Sequence, residues 1–566
     1  MAGTLAARAT RALARLAPWE SESDDDLARA LRFLGWSVDG ATVRRAGDAA
    51  GVVAGLCVGS LLVFGAGTVG IGVGAAAGLA VAAAARVGPR ALATARRTRA
   101  LGQAPELVSR VVLRMRLTPS PETAAAFAAG TGRGRLAASL RAHVERASGT
   151  GRTGLSSFAD EWAEWFPALR RALSLVASAD DARPDERARA LDGALAVTLE
   201  GTRETMADFA ASVRGPATAL YAFGVLVPLA LVALLPAAGT VGLEVPLLAV
   251  VVGYDLVLPA ALLVASGWLL VRRPVAFPPT PVPRSHPDVP DRRWPAVVAG
   301  LAAGAVASSA TVRVVSPWAA WVAGPGVAVG VGLVVTYRPM TAVRERAREI
   351  ERGLPDALSL VGREVSRGRA VEAAMAEAAE ALDTATGEVL AEAVRTQRQL
   401  EVGVRESLVG EYGALATVPS ERARGTAELL ALAAAEGTPA GPAVVTMAEH
   451  VDDLQHAEGE IRRQLGQVTS TLSNTATVFG PLVGGATVTL AERMSTGGPL
   501  SSPLPAAPLG VAVGVYVLVL AATLTTLSTG LRRGLDRSLV GYRVGRALVV
   551  AASTFCLGLA ATRLVV

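Results

Sequence analysis

The sequence predicts an all-α, polytopic membrane protein with about nine transmembrane helices and two duplicated cytoplasmic helical bundles. Hydropathy is the first reason: mean hydropathy is +0.41, 51% of the 566 residues are hydrophobic, and they gather in long uncharged runs. Apolar runs of about 18 residues or more are typical of membrane-spanning helices. The second reason is an internal repeat, and the third is the concentration of arginine in one set of the loops between the apolar runs.

Residues 354–380 contain the better preserved copy of the repeat. Apolar residues recur at helical spacing on both sides of Gly368, so we expect two short amphipathic helices joined at this glycine. Pro355 is predicted at the first helical position, where its missing N–H would be unpaired anyway. The weaker copy lies 250 residues earlier, at 104–130, with Thr118 in place of Gly368. Matching pairs are Pro105 and Pro355, Glu106 and Asp356, Ser109 and Ser359, Val111 and Val361, and Glu122 and Glu372.

The repeat continues into the apolar runs that follow each polar region. Phe223-Gly224 aligns with Phe479-Gly480, and the segment that begins at Tyr254 aligns with the one that begins at Tyr516. The duplicated unit is therefore predicted to contain a polar helical region and the two spans after it.

The segments follow from where charge appears and disappears along the chain. Residues 1–48 are predicted to be a cytoplasmic N-terminal segment. The next 37 residues, 49–85, contain no charge and are too many for one span of about 20 residues. They are predicted to form a transmembrane hairpin with its break near 65–70. The other segments are a first cytoplasmic bundle at 86–215, two spans at 216–271, a Pro/Arg-rich cytoplasmic linker at 272–295, two spans at 296–336, a second bundle at 337–473 and three spans at 474–566.

Helices are predicted inside these segments from the same periodicity. In the first bundle they cover 105–117, 121–129, 136–146, 155–179 and 184–216, and in the second, after the repeat, 387–410, 420–436 and 440–473. The spans after the hairpin are predicted at 217–236, 245–271, 296–312, 318–335, 474–490, 507–527 and 547–565.

Arginine placement predicts the orientation in the cell membrane, because cytoplasmic loops retain positive charge. The arginine-rich loops contain Arg86, Arg90, Arg96, Arg97, Arg272, Arg273, Arg292, Arg293, Arg338, Arg344, Arg346, Arg532, Arg533, Arg537 and Arg543. The opposite loops and the tail contain only Arg313, Arg493 and Arg563. We therefore expect a cytoplasmic N-terminus, cytoplasmic bundles and linker, and a C-terminus outside.

The sequence contains no recognisable catalytic motif, so we expect no enzyme activity, no cofactor and no metal site. His450 and His456 are six residues apart on one predicted helix and should occupy opposite faces, whereas a helical zinc site uses i, i+4 spacing and a third ligand. All 55 basic residues are arginine, so a phosphate-binding loop with its lysine is excluded. Cys57 and Cys556 both lie in predicted spans and do not suggest a disulfide framework. Nucleic-acid binding is not expected, because aromatic residues are only 4% and the arginines flank spans.

Asp255 is the one acidic residue inside a predicted span, and two interpretations of it are open. Ionisable groups inside a membrane are costly and often functional. Alternatively, Asp255 pairs with a local hydroxyl or lies near a hydrated boundary, since its counterpart in the repeat is Val517.

The arginine clusters also allow two interpretations. They set topology and contact lipid headgroups, or they form a docking surface for an acidic cytoplasmic partner. Residues 87–215 contain 19 Arg against 14 Asp and Glu, and residues 337–473 contain 15 against 22, so the two bundles either face each other or engage different surfaces of a partner. The candidate docking residues are Arg272, Arg273, Arg292, Arg293, Arg363, Glu364, Arg367, Arg369, Arg532 and Arg533.

The stretch LPDALSLVGREVSRGRAVEAAMAEAAE, 354–380, resembles the signature of the type II secretion system F domain. In that family a proline, an acidic residue and a leucine open the first helix of a cytoplasmic bundle, and a glycine at the position of Gly368 precedes the second. Two such domains in one multi-span chain are similar to archaeal pilus and archaellum platform proteins and to bacterial tight-adherence platform subunits. The resemblance covers roughly residues 86–270 and 337–530.

The resemblance implies an inner-membrane platform for type IV pilus-like filaments. Such a platform couples a cytoplasmic hexameric secretion ATPase to the extraction and assembly of prepilin-like subunits, contacts membrane lipids, and forms a homo-oligomer, with a dimer expected. The alternatives are a transporter or permease with helical cytoplasmic domains, and a membrane scaffold. The scarcity of intramembrane polar residues is evidence against transport.

Overall fold

The computed structural model describes residues 10–15, 24–66, 68–147, 154–240, 246–274, 282–436, 441–496 and 506–565. Within these ranges the protein is all-helical, without a β-strand, as the sequence predicts. The chain divides into two compact units. The first comprises Met1–Arg99 with Val271–Pro274, and the second comprises Ala100–Leu270 with Val275–Val566.

The first unit is built on three helices: α1 (Asp25–Leu34), α2 (Gly40–Ala66) and α3 (Thr68–Leu101). The Asp24 side chain accepts hydrogen bonds from the first-turn amides of α1, and the left-handed Gly35 ends that helix. Glycines let α2 and α3 approach closely, since a Cβ added at Gly74 would lie 2.5 Å from the Cα of Gly59. Helix α2 is described to Ala66 and α3 from Thr68, and the residue between them, where the break was expected, lies outside the described residues.

The first polar region forms six helices in the second unit: α4 (Ala104–Leu117), α5 (Pro121–Thr131), α6 (Arg135–Ala147), α7 (Gly154–Ala163), α8 (Pro167–Ser178) and α9 (Pro184–Tyr221). The expectation of one helix over 155–179 is wrong, because α7 and α8 are separated before Pro167. A residue that precedes proline is disfavoured in the helical region, and Phe166 adopts φ −148° and ψ 81°. Pro216 does not end α9, which continues past it to Tyr221.

The apolar helices of the middle of the chain are interrupted by short π-helical turns. They are α10 (Val227–Thr240), α11 (Leu247–Val251), α12 (Leu258–Arg272), α13 (Trp294–Val314) and the start of α14 (Ala320–Ser366), with turns π1 (Ala222–Leu226) and π2 (Val252–Val257).

The second polar region begins inside α14. It continues as α15 (Val371–Ala381), α16 (Ala385–Leu400), α17 (Val404–Val409), α18 (Glu421–Glu436) and α19 (Gly441–Asn474), after which come turn π3 (Thr475–Phe479), α20 (Gly480–Thr496), α21 (Ala506–Arg533) and α22 (Arg537–Val565). The single helix expected at 387–410 is two helices, because Glu401 adopts a left-handed conformation (φ 53°) between α16 and α17.

The prediction for Pro355 is wrong, because this proline lies inside the 47-residue helix α14 and not at a helix start. A proline inside a helix cannot donate to the carbonyl four residues earlier, here that of Glu351. The Gln455 side chain on α19 donates a hydrogen bond to this carbonyl at 2.7 Å. A side chain from a neighbouring helix therefore replaces the bond that Pro355 removes.

Six helices in the described part of the chain are long and apolar enough to cross a membrane. They span Pro184–Leu234, Leu247–Arg272, Trp294–Val314, Ala320–Ser366, Ala507–Arg533 and Arg537–Val565. Each overlaps one of the predicted spans. The two spans expected in the hairpin at 49–85 and the span expected at 474–490 are not among the six, and they stay predictions.

The second unit contains two large hydrophobic clusters. One joins the apolar helices and includes Tyr254, Tyr516 and Phe555. The other fills the second polar region around Leu358, Val361 and Met375 of the repeat and also takes in Leu113 of α4. The apolar face predicted for 354–380 is therefore bundle core.

The two polar regions contact each other. Besides Leu113, Leu199 on α9 packs against Leu454 and Ala457 on α19. At the edge of this contact, Arg133 and Glu421 form an ion pair at 3.0 Å. Of the two arrangements that the opposite net charges suggested, the structure has the one in which the bundles face each other.

Candidate functional site

The turn of the second copy of the repeat is closed by backbone geometry at Gly368. The amide of Gly368 donates to the carbonyl of Val365 at 2.9 Å, and the amide of Arg369 donates to that of Glu364 at 3.2 Å. This is a Schellman motif, which requires a left-handed residue, and Gly368 has φ +91°. The glycine predicted to join the two helices therefore does so.

Side-chain ion pairs fasten the same turn. The carboxylate of Glu364, only 9% exposed, pairs with Arg367 and, at 3.4 Å, with Arg369. Arg369 also pairs with Glu377 on α15. Glu364, Arg367 and Arg369 are thus engaged within the bundle, whereas the exposed Arg363 donates a hydrogen bond to the Ser359 carbonyl of its own helix, at 3.2 Å.

The remaining predicted docking arginines lie in different settings. Arg272 is exposed at the end of α12, whereas Arg273 is buried (7% exposed), so Arg273 offers little surface to a partner. Arg292 and Arg293 are exposed immediately before α13. Arg532 and Arg533 are half-buried at the end of α21. Besides the paired Arg367 and Arg369, the docking candidates with exposed side chains are therefore Arg272, Arg292, Arg293 and Arg363.

A buried ion pair lies beside the end of α21. Arg344 on α14 pairs with Asp536, in the connection between α21 and α22, at 2.8 Å, and both side chains are at most one-tenth exposed. Burial acts to raise the pKa of Asp536, but hydrogen bonds from Arg344, Ser538 and the Leu539 amide outweigh it and lower the pKa to about 2. This pair attaches α14 to the turn between the last two apolar helices.

Two tyrosines at matching positions of the repeat touch each other inside the apolar cluster. The rings of Tyr254 and Tyr516 meet edge to face, with centroids 5.5 Å apart and planes at 89°. The Tyr254 hydroxyl donates to the Pro228 carbonyl at 2.6 Å, and the Tyr516 hydroxyl donates to the Gly224 carbonyl. The alignment paired these tyrosines but did not indicate that they are in contact.

The π-helical turns end two residues before prolines, and at π1 and π3 the backbone carbonyl that the proline leaves without its helical donor has another partner. Pro228 cannot donate to the Gly224 carbonyl, which accepts from Tyr516 instead. Likewise Pro481 cannot donate to the Thr477 carbonyl, which accepts from the Thr554 hydroxyl on α22 at 3.1 Å. Hydroxyl groups of neighbouring helices thus satisfy backbone that a membrane cannot hydrate.

Asp255 lies in turn π2, next to Tyr254. Its side chain is half-buried, and its Oδ1 atom is buried without a hydrogen-bond partner in the described part of the chain. No hydroxyl group of the described residues therefore pairs with Oδ1 of Asp255, as one of the two interpretations had suggested. An unpaired carboxylate oxygen at this position is a feature of the apolar helices that packing does not explain.

The histidines do not form a metal site in the described residues, where no group of three potential ligands occurs. His450 is buried and His456 exposed, in line with their predicted opposite faces. Burial, reinforced by the charges of Arg422 and Arg116, lowers the pKa of His450 to about 4. His143 is held between Ser157 and Glu161 within the first bundle, with its Nδ1 2.9 Å from the Ser157 hydroxyl.

Comparison with family models, curated proteins and solved structures finds no match to this chain. The resemblance to the type II secretion system F domain therefore stays a prediction from residues 354–380.

Proposed function

We propose that this chain is a membrane platform of a type IV pilus-like filament assembly or secretion system. In this role it couples a cytoplasmic hexameric secretion ATPase to the extraction and assembly of prepilin-like subunits. It crosses the cell membrane nine times, with the N-terminus and both bundles in the cytoplasm and the C-terminus outside, and it works as a homo-oligomer, with a dimer the simplest form. It has no enzyme activity of its own, and the energy comes from the ATPase.

Coincidence of helix boundaries between the two polar regions supports the duplication. Helix α5 covers 121–131 and α15 covers 371–381, a shift of 250 residues at both ends. Helices α6 and α16 begin at 135 and 385, which is the same shift. This coincidence is the observation that carries the proposal, because it gives both bundles the helix–turn–helix pattern expected of the F domain.

The apolar halves supply further support. The Phe-Gly pairs at 223 and 479 each lie within or beside a π-helical turn that follows the last long helix of a polar region. A proline follows each pair, and a hydroxyl from another helix binds the carbonyl that it frees. A repeated unit of polar bundle plus spans accounts for both similarities.

Deletion and complementation test the proposal. Cells that lack this protein should have no surface filaments in electron micrographs, and the full chain should restore them. The exposed Arg363 is the first candidate for the ATPase contact, so Arg363→Glu should restore fewer filaments than Arg398→Glu, an equal charge reversal at an exposed arginine of α16. Normal filaments in the deletion strain would contradict the proposal.

A transporter is the second candidate, and one observation favours it. The unpaired Oδ1 of Asp255 in an interrupted apolar helix resembles the polar groups that line substrate and ion pathways. Asp255→Asn separates the two candidates. A transporter would lose uptake, whereas a platform would keep filament assembly.

A further inference from the structure

Four arginines that form no ion pair with any described residue lie within electrostatic range of one another, near the connection between the last two apolar helices. They are Arg348 on α14, Arg532 and Arg533 at the end of α21, and Arg543 on α22, and we refer to them as the arginine cluster. All four side chains are half-buried. The neighbouring pair of Arg344 with Asp536, at 2.8 Å, fixes α14 against the α21–α22 turn and so holds the cluster together.

The charges around the cluster do not balance in the described part of the chain. Arg533 is within electrostatic range of Arg543, Arg462 and Arg532, all of which repel it. Arg348 is repelled by Arg533, Arg462 and Arg344.

Nearby carboxylates compensate for little of this repulsion. Glu345 and Glu458 act on the cluster only from beyond ion-pair distance. Glu458 already pairs with Arg462 and, at 3.3 Å, with Arg422. Asp536 is occupied by Arg344.

Half-buried like charges with no counter-ion are unfavourable unless an anion joins them. The planar guanidinium group presents a fork of donors that fits phosphate oxygens, and several such groups from different helices converge here. The cluster also lies at the ends of Ala507–Arg533 and Arg537–Val565, two helices apolar enough to cross a membrane. This is the level at which the phosphates of a lipid leaflet occur.

We propose that the arginine cluster is a binding site for the phosphate of an anionic lipid headgroup. The lipid phosphate bridges α14, α21 and α22 and neutralises the charge that the fold gathers there. This inference needs the chain to be membrane-inserted but does not depend on filaments or an ATPase, so it can fail or succeed independently of the platform role.

Lipid retention by the full chain tests the site. The chain is placed in nanodiscs of phosphatidylcholine containing phosphatidylglycerol, and the lipids that remain bound are counted by native mass spectrometry. The cluster variant is Arg348→Gln with Arg533→Gln and Arg543→Gln. The matched control is Arg170→Gln with Arg171→Gln and Arg398→Gln, which removes the same charge from exposed positions outside the cluster.

The wild-type chain and the control should retain phosphatidylglycerol in preference to phosphatidylcholine. The cluster variant should bind phosphatidylglycerol roughly a hundredfold more weakly, since each arginine near a lipid surface contributes about a factor of five. If the triple variant does not fold, Arg533→Gln alone should show a loss of about fivefold.

Three results would overturn the inference. The first is equal retention of both lipids by the wild-type chain, and the second is an equal loss of phosphatidylglycerol in the cluster variant and the control. The third is binding of inorganic phosphate in pure phosphatidylcholine nanodiscs without any preference for phosphatidylglycerol, which would assign the cluster to a soluble phosphate compound. The inference would be supported if inorganic phosphate displaced phosphatidylglycerol from the wild-type chain and had no such effect on the cluster variant.

Discussion

The two proposed copies of the hairpin have second helices whose bounds differ by 250 residues, and they close the turn before that helix by different chemistry. In the second copy the left-handed Gly368 ends α14, and ion pairs to Glu364 fasten the turn. In the first copy Thr118 is extended (φ −135°), and the Ser120 side chain caps α5 by accepting from the Thr123 amide at 3.3 Å. Helix register is thus retained while the turn residues change, which is why the first copy is hard to recognise from sequence.

The copies also differ in how they are attached to the apolar helices. Arg344, on α14 shortly before the second copy, pairs with Asp536, whereas the residue 250 positions earlier is Thr94, which cannot form an ion pair. We therefore expect the second copy to depend on a single buried pair and the first not to.

The largest expected effect comes from breaking that pair. Arg344→Met leaves the Asp536 carboxylate buried and unpaired, which should lower the free energy of unfolding by about 3–5 kcal/mol. Thr94→Met, at the matching position, should lower it by less than about 1 kcal/mol. Chemical unfolding in detergent micelles measures both, and equal losses would show that the copies are attached alike.

Acid should act through the same pair. The pKa of Asp536 is lowered to about 2 in the folded protein, so its contribution to the free energy of unfolding is complete above the unfolded pKa near 4. That contribution is lost as the pH falls through about 2. The expected loss is about 2 kcal/mol between pH 4 and pH 2. Asp536→Asn should remove this part of the pH dependence, and an unchanged profile would contradict the assignment.

The turn of the second copy should be the more sensitive to substitution. Gly368→Ala places a side chain at φ +91°, which should cost about 1–2 kcal/mol, and the space around it is open, so the cost is conformational alone. Thr118→Ala, at an extended residue, should cost less than about 0.5 kcal/mol. Thermal unfolding of the two variants would contradict this difference if their midpoints shifted equally.

The smallest changes in stability are expected from substitutions at the N-cap residues of α5 and α15. Ser120→Ala removes the side-chain cap of α5 and should cost about 1 kcal/mol. Ala370 occupies the corresponding cap of α15 without a side-chain bond, so Ala370→Ser should stabilise that helix by up to about 1 kcal/mol. Opposite shifts in the unfolding midpoint are expected, and shifts of the same sign would show that the two caps are not equivalent.

Helix starts with a local signal could be predicted from the sequence, as at Pro121 and Pro184, where proline is preorganised for the first turn. The position of Pro355 could not, because the residue that allows it inside α14 is Gln455, which binds the carbonyl of Glu351 from 104 residues away. The contact between Tyr254 and Tyr516 could not be predicted either, because periodicity shows which face of a helix is apolar but not which helix packs against it. Among the candidate site residues, the sequence did not indicate that Glu364 is buried or that Arg532 and Arg533 meet Arg348 and Arg543.

Co-purification with the hexameric secretion ATPase of the same cell tests the platform role most directly. The full chain, solubilised in detergent, is expected to retain the ATPase through its cytoplasmic bundles, and Arg363→Glu should retain less of it than Arg398→Glu. A chain that is folded and membrane-inserted but elutes without the ATPase in every preparation would contradict the account.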